Sequence, residues 1–141
     1  MLPNGGVQAD VTDPLGHQTS YLTDTAARPV QVTDPVGRKT TLAWDSDNNL
    51  TTKTENNGAV TKWTWDPNTG YPLTMEDAAN QTSGDQYVYG YQTSLSGHVA
   101  FLTSVKSPLG DITSYGLDAF GNVTSVIKPD GNVSGAESRR T

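Results

Sequence analysis

Two acidic turns, Asp13-Pro14-Leu15-Gly16 and Asp34-Pro35-Val36-Gly37, come nearest in residue type and spacing to a reactive pair. Seventeen residues separate Gly16 from Asp34. Two carboxylates do acid–base work as a dyad only when they lie close together and one is kept protonated by the other. Local turn chemistry accounts for both aspartates without catalysis. Asp caps its own backbone, Pro presets φ at the second position and Gly suits the last. Both are read as turns, and no catalytic residue is nominated.

Other constellations fall short in the same way. Asp45-Ser46-Asp47-Asn48-Asn49 opens like an oxygen-rich calcium loop, but Leu50 stands where such a loop needs Gly and Asn56 where it needs Glu. His17 and His98 each lack a second His or Cys at ligand spacing and read as solvated loop residues. No Ser sits in a nucleophile elbow, and no Gly-rich run opens a helix to hold phosphate. Asn49-Leu50-Thr51, Asn122-Val123-Thr124 and Asn132-Val133-Ser134 match the glycosylation pattern, which turn-plus-Thr composition produces freely. The sequence therefore implies no metal and no cofactor.

The elements that carry these residues follow from composition and repetition. The chain has 141 residues, no Cys, 14 Gly and 8 Pro, with 33% hydrophobic residues, which makes a thick core unexpected. Nine basic against 15 acidic side chains give a net charge of −6, which argues against a nucleic-acid partner. No apolar run is long enough for a membrane span, and the start lacks the basic and apolar regions of a signal peptide. Only 17% of residues are charged while 20 are Thr, a composition that favours a half-buried pleated surface over disorder.

Val11-Thr12-Asp13-Pro14-Leu15-Gly16 recurs 21 residues later as Val32-Thr33-Asp34-Pro35-Val36-Gly37. The same shift relates Thr19, Thr40 and Thr61, and also Asp24, Asp45 and Asp66. Further copies open at Val105 and Val126. Within a copy, alternating residues such as Thr40, Leu42 and Trp44 share one strand face. A second turn, such as Asp118-Ala119-Phe120-Gly121-Asn122, then leads to a shorter strand, Val123-Thr124-Ser125-Val126. The expected fold is all-β: an antiparallel meander of hairpin repeats forming a curved or spiralling sheet, with no helix beyond one turn.

The array is expected to cover 1–133 as about six 21-residue units, with an irregular longer unit at 75–104 and a tail at 134–141. In the irregular unit, Tyr87-Val88-Tyr89-Gly90 is set against the aromatic positions, with Gly90 at the Asp position, and 81–85 and 91–100 read as longer loops. One face should carry a stripe of Tyr21, Trp44, Trp63, Trp65, Tyr87, Tyr89, Tyr115 and Leu117, which must be covered by something.

Tyr115-Gly116-Leu117-Asp118-Ala119-Phe120-Gly121-Asn122-Val123-Thr124-Ser125-Val126 resembles the YD (RHS) repeat, Y-x-Y-D-x-x-G-N-L-T-S-V followed by T-D-P-x-G. Tyr21-Leu22-Thr23-Asp24 and Trp63-Thr64-Trp65-Asp66 are similar to its first part, and both Asp-Pro turns to its last. Leu42 stands at a Tyr position and Asn80 at a turn Gly. The family includes bacterial Rhs toxins, the C component of Tc toxins, wall-associated proteins and teneurins. In these proteins the repeats form a β-strip that spirals into a hollow shell, which in the toxins encloses a toxic domain.

The resemblance implies a non-catalytic scaffold, secreted or at the cell surface. It would contribute a β-shell wall, or a self-assembling β-structure of a toxin-like system. Its expected partners are further repeats or copies of itself through edge strands, and an enclosed toxin cargo. One alternative is an adhesin binding glycan through its aromatic rows. Another is aspartyl self-cleavage, since Rhs shells carry two D-P-x-G turns one residue further apart than here, near the C-terminal end of the repeats.

Overall fold

The computed structural model describes residues 5–79, 86–93, 99–129 and 139–140. Among the described residues, twelve strands form one antiparallel sheet whose order is the chain order, and the sheet does not close on itself. They are β1 (Gln8–Thr12), β2 (Gln18–Thr23), β3 (Pro29–Thr33), β4 (Lys39–Trp44), β5 (Leu50–Thr54), β6 (Val60–Trp65), β7 (Pro72–Glu76), β8 (Tyr87–Thr93), β9 (Ala100–Lys106), β10 (Ile112–Leu117), β11 (Val123–Lys128) and β12 (Arg139–Arg140). No helix occurs among the described residues. The all-β meander is thus as expected. The chain divides into two compact units, Met1–Lys62 and Trp63–Thr141.

The hairpins repeat one design. After an odd-numbered strand, the amide of Gly16 donates to Asp13 O at 3.0 Å, and Asp13 N donates to His17 O at 3.0 Å. Gly37 with Asp34, and Gly110 with Ser107, repeat the inner bond at 2.9 Å. Each of these three loops is a type I turn closed by a left-handed residue, the three-residue hairpin connection. Gly16, Gly37 and Gly58 have φ of 87°, 85° and 84°, and their numbers advance by the 21-residue period. The loops at the opposite strand ends put Ala27 and Asn48 at the same position, with φ of 63° and 67°.

Alternation produces one half-buried face. In β4, Thr40, Leu42 and Trp44 are half-buried while Lys39, Thr41 and Ala43 are exposed. β6 does the same with Trp63 and Trp65 against Lys62 and Thr64. Burial goes no further: Ala100 is the one buried apolar side chain among the described residues, and none is fully buried. The apolar turn residues Leu15, Val36 and Leu109 are 82%, 75% and 89% exposed, so they belong to the rim and not to the face.

The irregular copy needs two corrections. β8 runs through Thr93 and β9 starts at Ala100, so 91–93 and Ala100 are strand and not loop; 81–85 and 94–98 lie outside the described residues. The register also differs by two residues from the expected one. A bulge between Gly90 and Tyr91 matches those at Leu22/Thr23, Ala43/Trp44 and Gly116/Leu117. Gly90 pairs with Ser104 as Gly116 pairs with Ser125. A Cβ at either glycine would meet the facing serine hydroxyl.

The aromatic copy is therefore Tyr89-Gly90-Tyr91, with Gln92 at the Asp position. Cross-strand pairing decides this, because a bulge shifts which residues face one another without changing the local alternation. Arg139 and Arg140, from the expected tail, pair with Lys128 and Ile127 of β11. Asn80 and residues 130–138 lie outside the described residues.

Candidate functional site

The turns opened by Asp13, Asp24, Asp34, Asp45 and Asp118 are built the same way, each Oδ1 accepting the amides two and four residues on. Asp13 Oδ1 accepts the amides of Leu15 at 2.8 Å and His17 at 2.9 Å, while Oδ2 meets His17 Nδ1 at 2.9 Å. Asp34 Oδ1 accepts from Val36 and Arg38 at 3.0 and 2.9 Å, and Oδ2 from Arg38 Nε at 2.6 Å. Hydrogen bonding from the His17 side chain and backbone holds the Asp13 carboxyl below the usual range. At Asp34 partial desolvation works the other way, but the Arg38 guanidinium and the turn amides prevail, and it too is lowered.

A dyad needs one carboxyl raised. It also needs proximity, yet hairpins β1–β2 and β3–β4 are two strand spacings apart, about 10 Å. The structure thus brings each Asp to its own backbone and not to the other Asp. His17 is exposed as expected, with Asp13 as a partner that the sequence reading missed; a His four residues after a turn Asp is the signal. His98 lies outside the described residues.

The calcium-like loop is filled by nitrogen donors. Asp45 Oδ1 accepts from Asp47 N at 2.9 Å and Asn49 N at 2.8 Å, and Oδ2 from Asn49 Nδ2 at 3.1 Å. Arg28 Nη1 donates to Asp45 O at 2.6 Å and to Asn48 Oδ1 at 3.1 Å, while its Nε binds Asp24 Oδ2 at 2.8 Å. A guanidinium already stands against the oxygens a cation would use, and it ties one turn to the equivalent turn of the next repeat. Asn122 Nδ2 is bound to Asp118 Oδ2 at 2.9 Å, so both described glycosylation-pattern asparagines are turn braces. Asn132 lies outside the described residues.

The aromatic rows serve packing and bracing. Trp44 Nε1 donates to Pro29 O at 2.7 Å, and Tyr91 OH donates to Pro72 O at 2.8 Å. These two rings occupy the same repeat position, and each caps the carbonyl of a proline that opens a strand. Tyr71 stacks on Tyr91 with ring centroids 5.6 Å apart and planes at 29°. Together with Phe101, Leu102, Leu117 and Val123 they line an open apolar cleft of about 590 Å³ in the second unit. Burial, and then neighbouring phenols, push the Tyr89 and Tyr91 hydroxyls up.

Sequence reading missed Tyr71, Tyr91 and Phe101 here. The usable signal was Leu102-Thr103-Ser104-Val105, which parallels Val123-Thr124-Ser125-Val126 and fixes the copy backwards to Gly90.

An open meander of two-strand units, bulged at one recurring position and braced turn to turn, defines a β-repeat structural module. The RHS Repeat family model matches residues 24–60 and 101–133. These two segments support an RHS/YD-repeat family assignment for the chain. No curated protein matches it.

Proposed function

We propose that the chain is a non-catalytic scaffold module. It contributes wall to a β-shell, or to a self-assembling β-structure, in a secreted or surface toxin-like system. RHS repeats are structural and occur in secreted or surface proteins. The observation that supports the reading is the half-covered aromatic face: rings are lined up strand after strand, yet no described side chain is fully buried. Such a face gains stability by covering with more protein.

β1 points the same way, because it is exposed along its whole length and pairs with β2 alone among the described residues. Its outer row of N–H and C=O groups is suited to strand addition, by further repeats or another copy. An adhesin working through the aromatic rows is less well supported, because the cleft at Tyr71 and Tyr91 is lined mainly by apolar atoms. Light scattering with electron microscopy tests the scaffold. Concentration-dependent oligomers or filaments are expected, and a monodisperse monomer at all concentrations would overturn the assembly reading.

A further inference from the structure

Tyr71 and Tyr91 are far apart in the chain, yet their rings stack with centroids 5.6 Å apart and planes at 29°. An offset stack sets ring edge over ring edge, an arrangement from which two phenol rings can join at carbons ortho to their hydroxyls.

The two side chains are held differently. Tyr91 is fixed at both ends, by the pairing of β8 with β9 and by its hydroxyl donating to Pro72 O at 2.8 Å. The backbone of Tyr71 is also held: its carbonyl accepts from Asp66 N at 2.9 Å, and its amide donates to Thr69 Oγ1 at 3.4 Å. Its side chain is the more accessible of the pair, since Tyr71 is 39% exposed while the other tyrosines are half-buried. An anchored ring therefore faces one that is open to solvent and to an oxidant.

Further phenols surround the pair. Tyr89 lines the same apolar cleft, and alternation along β8 puts Tyr87, Tyr89 and Tyr91 on one face. Burial, and then the neighbouring Tyr89 and Tyr71, push the Tyr91 hydroxyl up, so these phenols lie within electrostatic reach of one another. The chain contains no Cys, the side chain whose thiolate ordinarily intercepts an oxidant.

We propose that Tyr71 and Tyr91 form an oxidative modification site, joined by a carbon–carbon bond between their ortho carbons. Each phenol loses one electron and one proton, and the two phenoxyl radicals couple. The two ortho hydrogens then move to the oxygens, which restores both aromatic rings. The co-reactant is hydrogen peroxide acting through a haem peroxidase: two electrons and two protons reduce one peroxide to two waters. The bond ties the entry of β7 to β8 and removes freedom from the unfolded chain, as a disulfide does. This inference does not rest on the scaffold reading.

The test exposes the dilute, intact protein to a haem peroxidase with hydrogen peroxide, and reads dityrosine fluorescence and intact mass. The expected product is a monomer lighter by two hydrogens. Cleavage at Glu76 separates the two tyrosines along the chain, and their peptides should remain joined. Tyr71→Phe should keep the fold, read by circular dichroism, and lose most of the fluorescence, whereas Tyr21→Phe should leave it unchanged. The proposal is overturned by the absence of the lighter monomer, or by links confined to Tyr87, to Tyr89 or to pairs of molecules. Undiminished yield in folded Tyr71→Phe overturns it equally.

Discussion

At the scale of the residue, the left-handed turn position shows how one backbone demand meets different surroundings. Gly37 has φ of 85° with nothing near where a Cβ would stand. Gly121 has φ of 86°, and a Cβ there would run into the Phe101 ring. Gly37→Ala should cost the left-handed penalty alone, about 1–2 kcal/mol. Gly121→Ala adds steric conflict and should cost about 1–3 kcal/mol more. Urea unfolding of the two variants checks this, and equal losses would show that the Phe101 ring gives way freely.

Much of this was legible locally. An Asp, two or three residues and then a small or amide side chain spell out the turn, because every partner lies within five positions along the chain. The Phe101–Gly121 contact was not legible, since it joins residues from different hairpins.

At the scale of the element, the proline carbonyls capped by Trp44 and Tyr91 are the recurring brace. Trp44→Phe and Tyr91→Phe each remove one donor while keeping most of the ring. Each should cost about 1 kcal/mol, the net worth of one hydrogen bond. Denaturant midpoints measure the effect, and an unchanged midpoint in both would show that solvent replaces the donor.

Strand existence was readable from alternation and from Thr, Val and aromatic enrichment. Register was not readable in the one copy where insertions separate the strand from its turn. There Gly90 could be placed at either of two positions by type, and only its facing of Ser104 decides between them.

At the scale of the whole molecule, stability is spread over many small turn-centred terms and not gathered in a core. Asp24, lowered mainly by the Arg28 amide, Asp45, by the Asn49 amide, and Asp118, by the Asn122 side chain, join Asp13, Asp34 and Asp66 in being more acidic folded than free. A depressed carboxyl stabilises the fold fully above its unfolded value, about pH 4, and loses that contribution as pH falls through the lower folded value. Tm should therefore be nearly flat from pH 8 to about 5 and fall below about 4, with several turns giving way together. A Tm that rises on acidification in a pH-series scan would contradict this account.

The sequence by itself determined the period, the turns, the strands and the family, because each rests on interactions within one hairpin or on repetition along the chain. Tertiary structure alone decided the register of the irregular copy, the bridging of successive turns by Arg28 and the proline braces. In each of these, residues from neighbouring repeats meet across strand spacings of about 4.8 Å, and that juxtaposition is set by the cross-strand ladder and its bulges rather than by local residue preference.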